Sequence, residues 1–268
     1  MNRQGEIVKI QNLFIMLALG AGILSATEAP KPTLITIIRD RTKTEVQKIS
    51  EIKNLLKEGV TVDTKSLDIP YFTPLMIAAD GGYTKIVQFL LDNGADVNAL
   101  DNLNSQALFY AARKGHVEVV KLLLARGSNV KHVNKQGRTI LQDTLYQIGG
   151  NEPSKENREA RAQFRKNILS VVDLLVSRGA DINMQGSAAE LKRSPIMWAA
   201  FWKDLDLVKY FKEKGADLHQ KDQSGNALEF YLPDPKRDKY LTAKEIEIIN
   251  MLRDEILETG WTNIKSSR

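Results

Sequence analysis

The sequence predicts an all-α repeat solenoid, a stack of helix-turn-helix units joined by short β-hairpin loops. Three observations predict it. The chain resembles itself at a period of 33 residues, three copies carry a small alanine pair ahead of an apolar helical stripe, and a glycine closes the stripe at the same offset. A fixed period of this kind marks units that cannot bury their apolar faces alone and must stack on one another. The composition agrees, since 43% hydrophobic and 26% charged residues over 268 residues is that of a globular chain.

The phrase Thr73-Pro74-Leu75-Met76-Ile77-Ala78-Ala79 aligns with Gln106-Ala107-Leu108-Phe109-Tyr110-Ala111-Ala112, and Ile86 to Gly94 falls on Val119 to Gly127 without a gap. The same phrases return at Thr139-Ile140-Leu141, Val171 to Asp181, Ser194 to Ala200 and Leu207 to Asp217. Each has a physical task. Thr73 offers a hydroxyl to an orphan amide at a helix start, and Pro74 suits the first turn because its missing N–H costs nothing there. Ala78 and Ala79 let neighbouring helices approach closely. Ile86, Val87, Leu90 and Leu91 form the apolar stripe of a second helix. Gly94, Gly127, Gly179 and Gly215 then stand just past a helix end, where the chain turns left-handed.

These TPLMIAA and LLDNGADVNALD phrases make the chain similar to the ankyrin repeat family over about residues 32 to 260. On that resemblance residues 32–67 form N-terminal capping helices, and five units follow at 68–100, 101–133, 134–185, 186–221 and 222–260. The third unit carries 19 extra residues, about 149 to 167, expected to form a loop with an extra helical turn or two capped by Ser154. The last unit lacks the TPL phrase and ends in a polar-faced helix, Thr242 to Glu258, suited to a terminal cap whose outer face meets water.

Residues 1–26 read as an export signal. Arg3 and Lys9 precede an uncharged run of 12 residues, Leu13 to Leu24, and small residues follow at Ser25 and Ala26. A bilayer span needs about 20 apolar residues, so a cleaved signal is the better reading. The expectation is a mature protein in the bacterial periplasm without a stable membrane span. A chain with no cysteine suits an oxidising compartment.

The residue inventory excludes much chemistry. Zero cysteines remove disulfides, thiolate metal sites and cysteine nucleophiles, and three histidines leave little for zinc or triad chemistry. No phosphate loop, His-Glu-x-x-His or Gly-x-Ser-x-Gly motif is present. His116 belongs to a Gly-His turn, while His132 and His219 read as hairpin surface residues. No catalytic residue, metal or cofactor is expected. A net charge of +5 is too weak to argue for nucleic acid.

The resemblance implies a protein-binding module that uses hairpin tips and the exposed side of its first helices along one concave surface. Residues there that the framework does not need are Phe72, Leu100, Leu103, Lys135 and Arg138 on hairpins, and Arg113, Lys114, Tyr146, Phe201 and Trp202 on first helices. Phe201 and Trp202 read either as solvent-facing interface anchors or as residues packed under the preceding insertion. The basic strip around Lys131 to Arg138, with Arg113 and Lys114, suggests a partner with an acidic surface. By analogy with exported members of the family, the expected function is inhibition of an envelope enzyme, such as self-protection against a cell-wall hydrolase, by a monomer. The alternatives are a secreted effector that binds a host protein and an accessory factor in oxidative-stress protection.

Overall fold

Several helix starts in this chain are built by threonines that accept a backbone N–H three residues on, satisfying a donor the helix itself leaves open. Thr33 caps α1 (Leu34–Arg39), Thr44 caps α2 (Glu45–Lys57), and Thr73 caps α3 (Pro74–Asp80). Thr44 and Gln47 exchange bonds reciprocally, as do Thr139 and Gln142, whose amide oxygen accepts the Thr139 N–H at 2.9 Å. The computed structural model describes residues 32–67, 71–150, 158–186 and 192–266. Residues 1–26, expected to form an export signal, lie outside them, as does Ser154.

After α3 come α4 (Thr84–Asp92), α5 (Ala107–Arg113), α6 (Val117–Ala125), α7 (Ile140–Gly150), α8 (Arg158–Ser177), α9 (Pro195–Phe201), α10 (Leu205–Glu213), α11 (Leu228–Tyr231) and α12 (Ala243–Ser266). The first helices pack in a row, α1 on α3, then α5, α7, α9 and α11, and a second row runs α2, α4, α6, α8. One apolar core threads the stack from Leu34 to Ile256. The stripes meet there: Ile86, Val87 and Leu90 of α4, Val120 and Leu123 of α6, Val171 and Leu175 of α8, and Val208 and Phe211 of α10 are all sealed from solvent. The result is an all-α repeat solenoid. No helix among the described residues is long and apolar enough to cross a membrane.

The expected β-hairpins are reduced to turns. Among the described residues there is no strand, and one antiparallel bridge, Val133 with Thr139, is the trace of a ladder. The reason is that a side chain closes each turn instead. Asp101 Oδ1 accepts the N–H groups of Leu103 and Ser105 at 2.7 and 2.8 Å, Asn134 Oδ1 those of Gln136 and Arg138 at 3.0 Å each, and Asp222 Oδ1 those of Ser224 and Asn226 at 2.8 Å each. The same three residues donate their own N–H four residues ahead, to Ser105, Arg138 and Asn226. Five-residue loops wired this way have no length left for a ladder.

The long insertion contributes more helix than the expected turn or two. From Arg158 onward it is continuous with the second helix of its unit, so α8 runs 20 residues without a break. Relative to α6, the added part is about three turns. Its end is tied down at Ile168, which is fully buried, and by Arg165, whose guanidinium reaches Asp204 at 2.5 Å. Asp204 also caps α10 through the Leu207 N–H. The glycines past the second helices adopt the expected left-handed backbone, with φ of +86 at Gly94 and +87 at Gly215. At the turn inside each pair, Gly82 and Gly115 share that conformation, but α9 ends in Lys203 at φ +58, a strained place for a side chain.

Asp101→Ala removes the acceptor of two turn N–H groups and of the Tyr110 hydroxyl, and is expected to lower the unfolding free energy by about 2 kcal/mol. Asp101→Asn, which copies the residue at 134, keeps the turn acceptor and should restore most of it. Urea denaturation of both variants checks this.

Candidate protein-binding face

The first helices share two columns of aligned positions on the side away from the second helices' stripes. Four residues after each cap stand Ile77, Tyr110, Asp143, Trp198 and Tyr231, and seven after it stand Asp80, Arg113, Tyr146 and Phe201. In the N-terminal half these columns hold charge that the chain largely neutralises itself. Arg113 Nη2 meets Asp80 at 3.4 Å, and its guanidinium lies 4.6 Å from the Tyr110 ring. Phe72 is half-buried and meets Tyr110 edge-on at 5.0 Å. The Tyr110 hydroxyl donates to Asp101, and burial together with that bond pushes its pKa up, so it stays protonated.

The C-terminal half is an interlocked aromatic cluster. Trp198, 8% exposed, takes Tyr146 edge-on at 6.2 Å and Phe201 edge-on at 5.7 Å, and stacks on Trp202 at 5.1 Å. Arg193 lies over three rings, with its guanidinium 4.8 Å from Trp198, 4.4 Å from Phe201 and 5.1 Å from Tyr231. Arg138 lies 4.5 Å from the Tyr146 ring and 3.4 Å from Asp143. Cation over ring and ring against ring each contribute about 0.5–2 kcal/mol where water is excluded, so α7, α9 and α11 are joined here by more than their core contacts. Phe201 keeps 50% of its surface exposed, and Tyr146 39%.

The ten residues singled out from the sequence are thus distributed unevenly. Phe201 and Tyr146 face solvent within the cluster, and Lys114 and Lys135 are exposed. Leu103 is exposed at a loop tip, and its carbonyl accepts the Lys135 N–H at 2.9 Å, which stitches adjacent tips together. Leu100 is half-buried. Trp202 corrects the solvent-facing expectation: it is half-buried because its indole stacks on Trp198, and it lines a cleft of about 510 Å³ with Arg165 of the lengthened α8. The two alternatives drawn for the pair therefore divide between them, Phe201 exposed and Trp202 packed. His132 also differs from a surface residue, being half-buried with its Nε2 2.8 Å from the Asn104 carbonyl and its ring edge-on to Phe109. His116 contacts the Asp80 carbonyl at 3.0 Å, a structural role.

Sequence reasoning missed Arg193, Trp198, Asp143 and Tyr231. Trp198 sits inside a framework phrase, and Arg193 follows an irregular loop, so neither breaks a pattern. The signal for Asp143 and Tyr231 is visible afterwards: each lies nine residues past Asn134 or Asp222, as Tyr110 does past Asp101. Tyr231 donates to Asp222 as Tyr110 does to Asp101. At Asp222 burial would raise the pKa, but the bonds from Tyr231, Asn226 and Ser224 outweigh it and hold it below the usual range. Asp143 replaces the tyrosine at this position, and burial raises its pKa despite the opposing pull of Arg138 and Arg113.

Stacked units whose first helices line up along one face define a class, the binding solenoid. Family models place it further. The model for ankyrin repeats in three copies matches residues 44–134 and 75–152, and the single ankyrin repeat model matches 192–223, together just over half of the chain. The chain belongs to the ankyrin repeat family, whose members are generally non-catalytic modules that bind proteins. It is also similar to the palmitoyltransferase AKR1 of the yeast Lachancea kluyveri, with 42% identity over 59 residues. That match covers 22% of this chain and 8% of the yeast protein, so the chain spans a small part of that relative's length.

Two outcomes are expected from this geometry. Trp202→Ala should lower stability by about 2 kcal/mol because it opens the stack on Trp198, whereas the exposed Phe201→Ala should cost less than half of that; thermal melts of the two variants check the order. For Asp143 the raised folded pKa means that the native state binds the proton more tightly than the unfolded chain. Stability therefore falls as pH rises from the usual value of 3.8 through the raised one. Asp143→Asn removes that loss, so its melting temperature should match the parent near pH 3.5 and exceed it at pH 7.

Proposed function

We propose that this chain is a non-catalytic protein-binding module of the bacterial periplasm that inhibits a cell-wall hydrolase by covering its active-site cleft, a self-protection role. The observation that carries the reading is Phe201. Half of this large ring is left in water at the centre of an otherwise interlocked aromatic and guanidinium cluster. Exposed aromatics rimmed by polar groups are the usual anchors of interfaces, because they trade a large apolar area for water at little entropic cost. The exposed Lys114 and Lys135 favour an acidic partner surface by steering and register. The periplasmic placement rests on the charged, apolar and small-residue order of residues 1–26.

The test joins compartment, capture and activity. Fractionation of cells carrying the full gene product should recover it in the periplasmic fraction. The mature protein, from Thr27 onward, is then used to retain partners from native envelope extract, and each retained hydrolase is assayed on purified peptidoglycan. The expected result is dose-dependent inhibition that Phe201→Ala weakens about thirtyfold, the loss of one interface anchor of about 2 kcal/mol. Recovery in the medium, or a retained hydrolase whose rate is unchanged at saturation, overturns the reading.

A further inference from the structure

Most cations near this face have an acid of their own. Arg113 meets Asp80, Arg138 meets Asp143, Arg165 meets Asp204, and Lys203 meets Asp238 at 2.5 Å. Arg193 does not. Its side chain makes no ion pair among the described residues, and its one side-chain hydrogen bond there runs from Nε to the Tyr231 hydroxyl at 3.2 Å. Yet it is held firmly. Three rings pack against its guanidinium, and the phenol it donates to is itself anchored on Asp222, whose other oxygen is occupied by the turn N–H groups of Ser224 and Asn226. The two terminal Nη groups keep four N–H donors in a fixed plane.

A guanidinium held in this way has already lost the rotamer freedom that binding would otherwise cost, and its paired N–H groups match the two oxygens of a carboxylate. One of those rings, Phe201, is half exposed, and the 67% exposed ring of Phe230 meets another of them, Tyr231, edge-on at 5.3 Å. We propose that Arg193 is a carboxylate-binding fork that seats an aspartate or glutamate side chain of a protein partner, with an apolar partner residue against Phe201 and Phe230. This inference rests on the reading of the first-helix face as the docking side. It goes further by naming the residue that selects the partner and the chemistry selected.

The experiment pans a random 12-residue peptide library against the full chain. Binding of an enriched peptide is then followed by the fluorescence of Trp198 and Trp202. The expected consensus is an acidic residue next to an apolar one. Changing that acid to its amide in the peptide should weaken binding at least tenfold on the unaltered protein. Arg193→Lys, which keeps the charge and loses the fork, should do the same, and Arg193→Ala should do so more strongly, each measured at a temperature where circular dichroism shows the variant still folded, since both also lose ring contacts. Panning that enriches no acidic consensus overturns the proposal, as does binding that is indifferent to the acid-to-amide change. Peptides lost with Phe201→Ala but unaffected by both Arg193 variants overturn the fork and leave the docking face standing. Peptides indifferent to all three variants overturn both.

Discussion

Everything in this molecule depends on one constraint: no helix pair here can bury its own apolar stripe. The side chains Val120 and Leu123 of α6 are sealed only because α4 lies on one side and α8 on the other. Stability is therefore a sum of nearest-neighbour interfaces, and the alanine pairs at the first helices set how closely those neighbours approach. The ends follow from the same rule. Lys48 of α2 shows how far the N-terminal end goes to seal itself, for it is almost fully buried, donates to the Ile38 carbonyl at 2.8 Å and lies 4.1 Å from the Tyr83 ring.

Polar groups translate that stacking into register. Asp63 accepts the Asp96 N–H, Asn98 accepts the Asn129 N–H at 2.9 Å, and Asn183 accepts the Asp217 N–H at 2.9 Å. Each acceptor sits at the same place in one unit and reaches the same place in the next. Ion pairs add a second set of ties along the stack, such as Arg126 with Asp92 at 2.7 Å. These exposed pairs contribute little energy one by one, but they fix the rotation between neighbours. The lengthened α8 uses both devices, since Asp204 is at once the cap of α10 and the partner of Arg165.

The two halves of the first-helix face then differ in how their surface is satisfied. Around Asp80 and Arg113 charge is answered within the chain, whereas around Trp198 an arginine is enclosed by rings and pairs with no acid among the described residues. A surface of the first kind presents little that a partner can improve on. One of the second kind holds donors in place and an exposed ring beside them, which favours recognition over stability.

The sequence by itself determined the solenoid, the order of its helices, the caps and the left-handed glycines, because these depend on local spacing: a stripe at helical period, a threonine before a proline, a glycine after a helix. It also pointed to the outward positions, Phe201 and Tyr146 among them, by elimination from the framework. What it did not determine was how those side chains meet. Trp202 reads as either exposed or packed until Trp198 is seen under it; Arg193 reads as one more loop cation until three rings from two helices close around it; and the insertion reads as a loop with a turn or two of helix until its residues are seen to continue the helix that follows. Only the tertiary structure decided these, because each depends on distances between units far apart in the chain, which a repeat period leaves open.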